Sequence, residues 1–224
     1  MDLGSKAWLS LALLAIAMGA LLFVSAGSLV YWQAWLYLAV FFGPSTAATL
    51  DLLRRDPALL KRRLNGGPMA EKRIAQKIIM LFTSASFMAL LVVPGLDHRY
   101  GWSATPAYMV IAGTLSVLVG FILIMRVYRE NPFTSATIEV AADQRVISTG
   151  PYAYVRHPMY ASALFYLVGT PLTLGSYWGL LALAVMLPFL VWRLFDEERF
   201  LTRDLPGYSD YLRKVRWRLI PGIF

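Results

Sequence analysis

Residues 7–26 read AWLSLALLAIAMGALLFVSA, a run of twenty residues without a charged side chain. A helix of about 20 apolar residues crosses the roughly 30 Å hydrocarbon core of a bilayer. Three further runs have the same character, and they extend over Leu29–Leu50, Ile78–Leu96 and Pro106–Met125. The dipeptide Gly27-Ser28 provides a tight connection between the first two runs. These runs predict four transmembrane helices.

The composition is typical of a membrane protein. Hydrophobic residues make up 58% of the 224 residues, charged residues make up 15%, and the mean hydropathy is +0.57. The net charge of +8 is explained by juxtamembrane Lys and Arg, because no soluble basic domain exists that would bind nucleic acid. We therefore expect no nucleic-acid partner. The absence of cysteine excludes a disulfide framework, a thiolate nucleophile and a Cys-based metal site.

A second apolar block predicts a helical hairpin. Its arms are Met159–Leu174 and Tyr177–Phe195, and Gly175-Ser176 separates them. Pro158 precedes the first arm, at a position where the first turn of a helix tolerates proline. Because that arm is short for a complete span, a tilted or partly re-entrant hairpin is an alternative to two full spans. The predicted fold is all-α, a polytopic transmembrane helical bundle of five to six spans with a C-terminal helical hairpin.

The basic residues lie almost entirely on one side of the predicted membrane. Of the 21 Lys and Arg residues, only Arg99 falls in a segment predicted to be outside. Cytoplasmic loops carry the excess of positive charge in membrane proteins. We therefore predict an integral, multi-pass membrane protein with both termini in the cytosol.

The segment 128–157 is too long and too hydrophilic to be buried in lipid, so we expect a loop with short structured pieces outside the hydrocarbon. It leads into VISTGPYAYVRHPMY at 146–160, which contains three tyrosines, an arginine and one of the two histidines. One interpretation is a juxtamembrane connector with its tyrosines at the interface. The other is a pocket for a heteroaromatic ligand such as adenine, in which His157 places an imidazole at a helix start.

A second polar group follows the last apolar run. It consists of Arg193 and the three acids Asp196, Glu197 and Glu198. Arg193 and Glu197 are four residues apart, so on a helix they share a face and an ion pair between them would contribute about 0.2–0.5 kcal/mol. Three consecutive acids in a basic juxtamembrane segment run against the local charge preference. They indicate a cationic or hydroxyl-rich ligand.

Other kinds of site have little support in the sequence. There is no Walker loop and no G-x-G-x-x-G motif, and no residues have metal-ligand spacing, so we expect no metal. His98, in the predicted outer loop, is interpreted as a solvated interface residue. Ser148 and Thr149 lie near His157 but lack the strand-to-helix context of a hydrolase elbow.

Four motifs occur in order along the C-terminal part of the chain: TGPYAYVRHPMY at 149–160, EERFL at 197–201, GYSDY at 207–211 and RLIPG at 218–222. With this order and spacing, the chain resembles the isoprenylcysteine carboxyl methyltransferase family of integral membrane enzymes, which includes phospholipid N-methyltransferase relatives. The resemblance runs from about Asn131 to the C-terminus. The first four spans resemble the family only in hydropathy.

The resemblance implies that S-adenosylmethionine is the methyl donor of a carboxyl O-methyltransferase-like enzyme. The acceptor it implies is a lipophilic small molecule or a lipidated partner, such as an isoprenylcysteine-type carboxylate, that enters from the bilayer. The cofactor-binding residues it implies are on the cytosolic side: Gln144, Arg145, Val146, Ile147, Tyr152, His157, Pro158, Met159, Tyr160, Glu197 and Glu198. The implied catalytic residues are Arg193, which could hold a carboxylate bidentately, and Glu197, which would contact the donor.

We therefore expect two parts in the chain. Residues 1–127 form the N-terminal transmembrane helices with four spans, and residues 128–224 contain the cofactor-binding loop, the hairpin and a cytosolic C-terminal tail. Two other functions remain open from the sequence. One is a nicotinamide-dependent reductase of membrane sterols or steroids, and the other is a non-catalytic membrane lipid binder.

Overall fold

The computed structural model describes residues 1–71, 73–141 and 143–224. Within these ranges the chain is all-helical and contains no strand, which confirms the predicted fold class. The α-helices are α1 (Leu3–Ala26), α2 (Trp32–Arg55), α3 (Pro57–Leu64), α4 (Ile74–Tyr100), α5 (Ala107–Glu130), α6 (Pro158–Thr173), α7 (Gly179–Asp204) and α8 (Tyr208–Lys214). A short 3₁₀ helix, Gly150–Ala153, lies in the segment between α5 and α6.

Local sequence signals determine where α1 begins and ends. The Asp2 side chain accepts a hydrogen bond from the Ser5 backbone N–H at 2.7 Å, which satisfies one of the free donors of the first turn. Gly27 follows the last residue with φ of 65°, a left-handed conformation that ends helices and favours glycine. Residues 27–31 then connect α1 to α2.

Five helices are long and apolar enough to cross a membrane, namely α1, α2, α4, α5 and α7. The predicted spans Ala7–Ala26 and Ile78–Leu96 lie within α1 and α4. The other two predicted spans are shifted, because α2 begins at Trp32 rather than Leu29 and ends at Arg55, and α5 begins at Ala107 and ends at Glu130. The first arm of the predicted hairpin is α6, whose 16 residues give a length of roughly 24 Å. The polytopic, membrane-integral architecture is therefore confirmed, with α6 as its short member.

The hairpin turn lies at the same end of the bundle as the connection between α4 and α5. Asp97, buried near the end of α4, accepts hydrogen bonds from the Ser103 N–H at 2.6 Å and from the Ser176 hydroxyl. The Thr105 hydroxyl donates to the Gly175 carbonyl at 2.8 Å. Short as it is, α6 therefore reaches the end of the bundle opposite its own start.

The most extensive packing is between α5 and α6, and α4 packs against both α7 and α1. Glycines let α5 and α6 approach closely. A Cβ atom on Gly113 would lie 2.5 Å from the Thr173 backbone nitrogen, and one on Gly169 would lie 2.6 Å from the Gly113 carbonyl oxygen. These small residues therefore serve packing inside the chain.

The segment after α5 is held by the short helix α3. Leu59 and Leu60 of α3 are buried against the bundle. The Arg63 guanidinium donates to the Ser135 carbonyl at 2.9 Å, and Arg62 donates to the Pro132 carbonyl. The loop expected from 128 begins at Asn131, because α5 continues to Glu130. It is bound to an element that precedes it by about 70 residues.

The close contact between α5 and α6 gives a stability prediction. Gly113→Ala should lower the free energy of unfolding by about 1–3 kcal/mol, because the added methyl group has no space against the α6 backbone. Gly19→Ala in α1 is the matched control, since a Cβ atom there meets nothing within 4 Å. Thermal unfolding in detergent measures both variants, and an equal effect of the two would contradict the packing role of Gly113.

Candidate functional site

A cavity of about 620 Å³ lies between α4, α5, α6 and α7, beneath the loop that follows α5. Small-molecule sites typically have volumes of about 300–1,000 Å³. One end of the cavity is polar and is formed by loop residues within 131–139 and 144–147, the segment 152–160 and the C-terminal half of α7. The other end is apolar and is lined by Phe87, Ile124, Met186 and Leu190.

The apolar end extends to the lipid-facing surface of the bundle. Met88 of α4 lines the cavity and is 48% exposed. Since α4 lies within a candidate membrane span, the environment of its exposed side chains is the bilayer. A ligand with an apolar tail could therefore contact both lipid and the cavity wall.

The structure brings together most of the residues that the sequence predicts for the site. Those that line the cavity are Gln144, Arg145, Val146, Ile147, Tyr152, His157, Pro158, Met159, Tyr160, Arg193 and Glu197. Segments at least 33 residues apart in sequence thus meet because the α6–α7 hairpin returns the chain to the same end of the bundle.

Glu198 is the exception among the predicted residues, because it does not line the cavity. Its carboxylate is nearly buried and lies 3.2 Å from Arg156 Nη1, 3.3 Å from His157 Nε2 and 3.0 Å from Arg218 Nε. Glu198 therefore fastens the start of α6 and the C-terminal tail to α7. It supports the cavity wall from behind.

The Arg193 side chain, on α7, is buried, and each nitrogen of its guanidinium has a protein partner. Nε donates to the Tyr160 hydroxyl at 3.1 Å, Nη1 donates to Gln76 Oε1 at 2.6 Å, and Nη2 donates to the Ala136 carbonyl at 3.0 Å. Nη1 also lies 2.8 Å from the carboxylate of Glu71, which is itself 3% exposed. A bidentate contact with an incoming carboxylate would require Arg193 to leave some of these partners.

Arg193 and Glu197 are linked through Tyr160 rather than to each other. The Tyr160 hydroxyl donates to Glu197 Oε2 at 2.6 Å while it accepts from Arg193 Nε. No direct Arg193–Glu197 ion pair within 4 Å occurs, although their spacing places both on one face of α7. The physical reason is that buried Arg193 finds a closer carboxylate in Glu71, which comes from the segment before α4.

The aromatic groups of the polar end include residues that sequence reasoning did not assign to the site. Tyr208 and Tyr211 of α8 line the cavity beside the predicted Tyr152. The Tyr211 hydroxyl donates to the Tyr152 carbonyl at 2.8 Å, whereas the buried Tyr208 hydroxyl has no hydrogen-bond partner among the residues described. The signal that could have identified them is the GYSDY motif, which carries both rings on one short helix.

Tyr152 is held as a neutral phenol. Burial raises its pKa above the ordinary value, and the hydrogen bond from Asn131 and the charge of Arg63 lower the pKa less strongly. Asn131 Nδ2 donates to the Tyr152 hydroxyl oxygen at 2.8 Å. The polar end therefore offers an uncharged hydroxyl donor next to aromatic faces. Such groups suit a planar heteroaromatic ligand with polar substituents.

Two comparisons with known proteins agree with this picture. Residues 108–206 match the phospholipid methyltransferase family, so the match begins in α5 and ends just after α7. Over 75 residues the chain is 33% identical to the protein-S-isoprenylcysteine O-methyltransferase of Schizosaccharomyces pombe, and this alignment covers 33% of the chain and 32% of the yeast protein. The chain thus spans about a third of the length of this relative. Both matches support the family that the motifs predict.

The two tyrosines of α8 give a prediction about stability. Tyr208→Phe should leave the free energy of unfolding unchanged or raise it, because it removes a buried hydroxyl that has no partner. Tyr211→Phe should lower it by about 1 kcal/mol, because its hydroxyl is hydrogen-bonded. Thermal unfolding of the ligand-free protein compares them, and an equal loss in both would show that the Tyr208 hydroxyl is paired.

Proposed function

We propose that this protein is a membrane methyltransferase that uses S-adenosylmethionine and a lipophilic acceptor. The match of residues 108–206 to the phospholipid methyltransferase family supports this reaction class. The observation that carries the proposal is the cavity itself. It joins a polar end, formed by the loop and α8, to an apolar end between membrane-spanning helices. A polar donor from the cytosol and an apolar acceptor from the bilayer would meet in it.

The residues at the polar end fit the donor. S-adenosylmethionine supplies an electron-poor methyl group on a sulfonium, beside an adenine ring and ribose hydroxyls. Tyr152 and Tyr208 offer aromatic faces, and the unpartnered Tyr208 hydroxyl offers a free polar group. Glu197 uses one oxygen to accept from Tyr160, which leaves the other to accept from a ribose hydroxyl.

The chain contributes to methyl transfer mainly by positioning. The acceptor nucleophile must stand in line with the methyl group at about 3–3.5 Å, with water excluded. Arg193 orients Tyr160, and Tyr160 orients Glu197, so this series of hydrogen bonds fixes the donor end of the cavity. We assign Glu197 to donor binding and Arg193 to positioning of the donor-binding residues.

The parts of the chain have distinct roles in this proposal. Residues 1–127 supply four spans, and residues 128–224 supply the loop, the hairpin and the tail around the donor. With both termini in the cytosol, the donor end of the cavity faces the cytosol. An S-adenosylmethionine site on that side is accessible without transport across the membrane.

Donor binding is tested by removing the charge of Glu197. Glu197→Gln should weaken S-adenosylmethionine binding about tenfold, because a charge-assisted hydrogen bond becomes a neutral one. Asp204→Asn is the matched control, since Asp204 is exposed on the same helix and paired with Arg203. Calorimetry on detergent-purified protein measures affinity. Stabilisation of the protein by NADPH but not by S-adenosylmethionine would instead favour a reductase.

The proposed orientation has its own test. A reporter that is active only in the cytosol, fused after Phe224, should be active, because all basic residues but Arg99 then face the cytosol. The same reporter inserted at Ser103, in the connection between α4 and α5, should be inactive. The reverse pattern would refute the orientation and with it cytosolic access to the donor end.

A further inference from the structure

The short helix α3 lies outside the segment that matches the phospholipid methyltransferase family, yet it reaches the cavity. Its contribution is Arg63, the second-last residue of the helix. The N-terminal part of the chain thus supplies a charged group to a site that is otherwise built mainly from the C-terminal part. The ionic partners of the cavity arginines indicate what that group could do.

Among the residues that the structure describes, four arginines line the cavity: Arg63, Arg145, Arg156 and Arg193. Arg156 is paired with Glu198, and Arg193 is paired with Glu71. Arg145 is exposed on the loop beside residues predicted for the donor. Arg63 is partly buried and has no ionic partner within 4 Å in the described parts of the chain. Among these four arginines, Arg63 is therefore the partly buried one whose positive charge is available to a ligand.

The contacts of Arg63 fix the orientation of its guanidinium and leave some of its N–H donors without a partner. Nη1 donates to the Ser135 carbonyl at 2.9 Å, and Cζ lies 5.4 Å from the centroid of the Tyr128 ring. The Nε and Nη2 groups make no hydrogen bond to any described residue. A planar guanidinium held on an aromatic ring, with free donors, is suited to carboxylate and phosphate oxygens.

Apolar side chains continue from this position towards the membrane. Ile124 lies one helical turn before Tyr128 on the same face of α5, and both line the cavity. Phe87 and Leu190 extend the apolar wall from α4 and α7. A ligand with an anionic group at Arg63 would therefore have its apolar tail in the part of the cavity that reaches lipid.

We propose that Arg63 recognises an anionic oxygen, of a carboxylate or a phosphate, on the lipophilic acceptor. The proposal rests on the function proposed above and names the acceptor class. Arg193 is already neutralised by Glu71, so the acceptor's negative charge is balanced by Arg63. The resemblance places substrate recognition at Arg193, whereas the geometry moves it to the N-terminal part of the chain.

The test measures binding of matched probes to protein saturated with S-adenosylhomocysteine. One pair is N-acetyl-S-farnesylcysteine and its carboxamide, and the other is hexadecyl phosphate and hexadecanol. Wild-type protein should bind the anionic member of at least one pair about tenfold more tightly than the neutral member. The pair that shows the preference identifies the anion as carboxylate or phosphate.

Arg63→Gln should abolish the preference while binding of the neutral member and of S-adenosylhomocysteine stays unchanged. Arg63→Lys should retain part of the preference. This variant replaces Arg63→Gln in the test if the Gln variant does not fold. Arg62→Gln is the matched control from the same helix, because the Arg62 side chain bonds the Pro132 carbonyl outside the cavity lining. It should keep the full preference.

Three results would overturn the inference. They are a wild-type protein without anion preference in either pair, an Arg63→Gln variant that keeps the preference, and an Arg63→Gln variant that loses S-adenosylhomocysteine binding. The last result would assign Arg63 to the donor. Failure of the wild-type protein to bind S-adenosylhomocysteine is a distinct result, because it refutes the proposed function itself and the inference with it.

Discussion

The rest of the site depends on the contacts of the Glu198 carboxylate. It binds Arg156, His157 and Arg218, so one side chain of α7 holds the start of α6 and the C-terminal tail in place. Replacing Glu198 by a neutral residue would leave the nearly buried Arg156 guanidinium without its carboxylate, and breaking a buried ion pair in this way typically costs about 3–5 kcal/mol. The position of α6, and therefore of Tyr160 at the cavity wall, follows from this attachment. A residue predicted to bind ligand thus lies behind the wall and holds it.

The sequence was sufficient to predict the features that depend on length, composition and local order. Twenty uncharged residues at 7–26 leave a membrane span as the simplest structure, and α1 covers them. Pro158 and Gly175-Ser176 mark the limits of the hairpin arm that became α6. The loop and the acids that follow the last apolar run are predicted to meet because a hairpin returns the chain to one side. In the structure His157 and Glu197 line the same cavity.

Features that depend on contacts between distant segments could not be predicted. The four-residue spacing of Arg193 and Glu197 predicts a shared helix face, but it carries no information on a competing carboxylate 122 residues away, Glu71. Likewise, nothing in the sequence PALLKRRL of α3 distinguishes Arg63, which lines the cavity, from Arg62, which does not. In the sequence both residues look like ordinary juxtamembrane charges, and only the folded position of the loop distinguishes them.

Charge balance explains why the N-terminal part of the chain is needed for a site whose motifs are C-terminal. Arg193 is buried, and a buried charge is tolerated when it is paired and hydrogen-bonded. Its partners Glu71 and Gln76 both lie outside the segment 108–206 that matches the family. The matching segment alone would therefore leave the Arg193 guanidinium without its carboxylate at the membrane edge. Glu71 just before α4 and Gln76 within it complete the electrostatics of the site, and α3 adds Arg63, which has no ionic partner within 4 Å among the described residues.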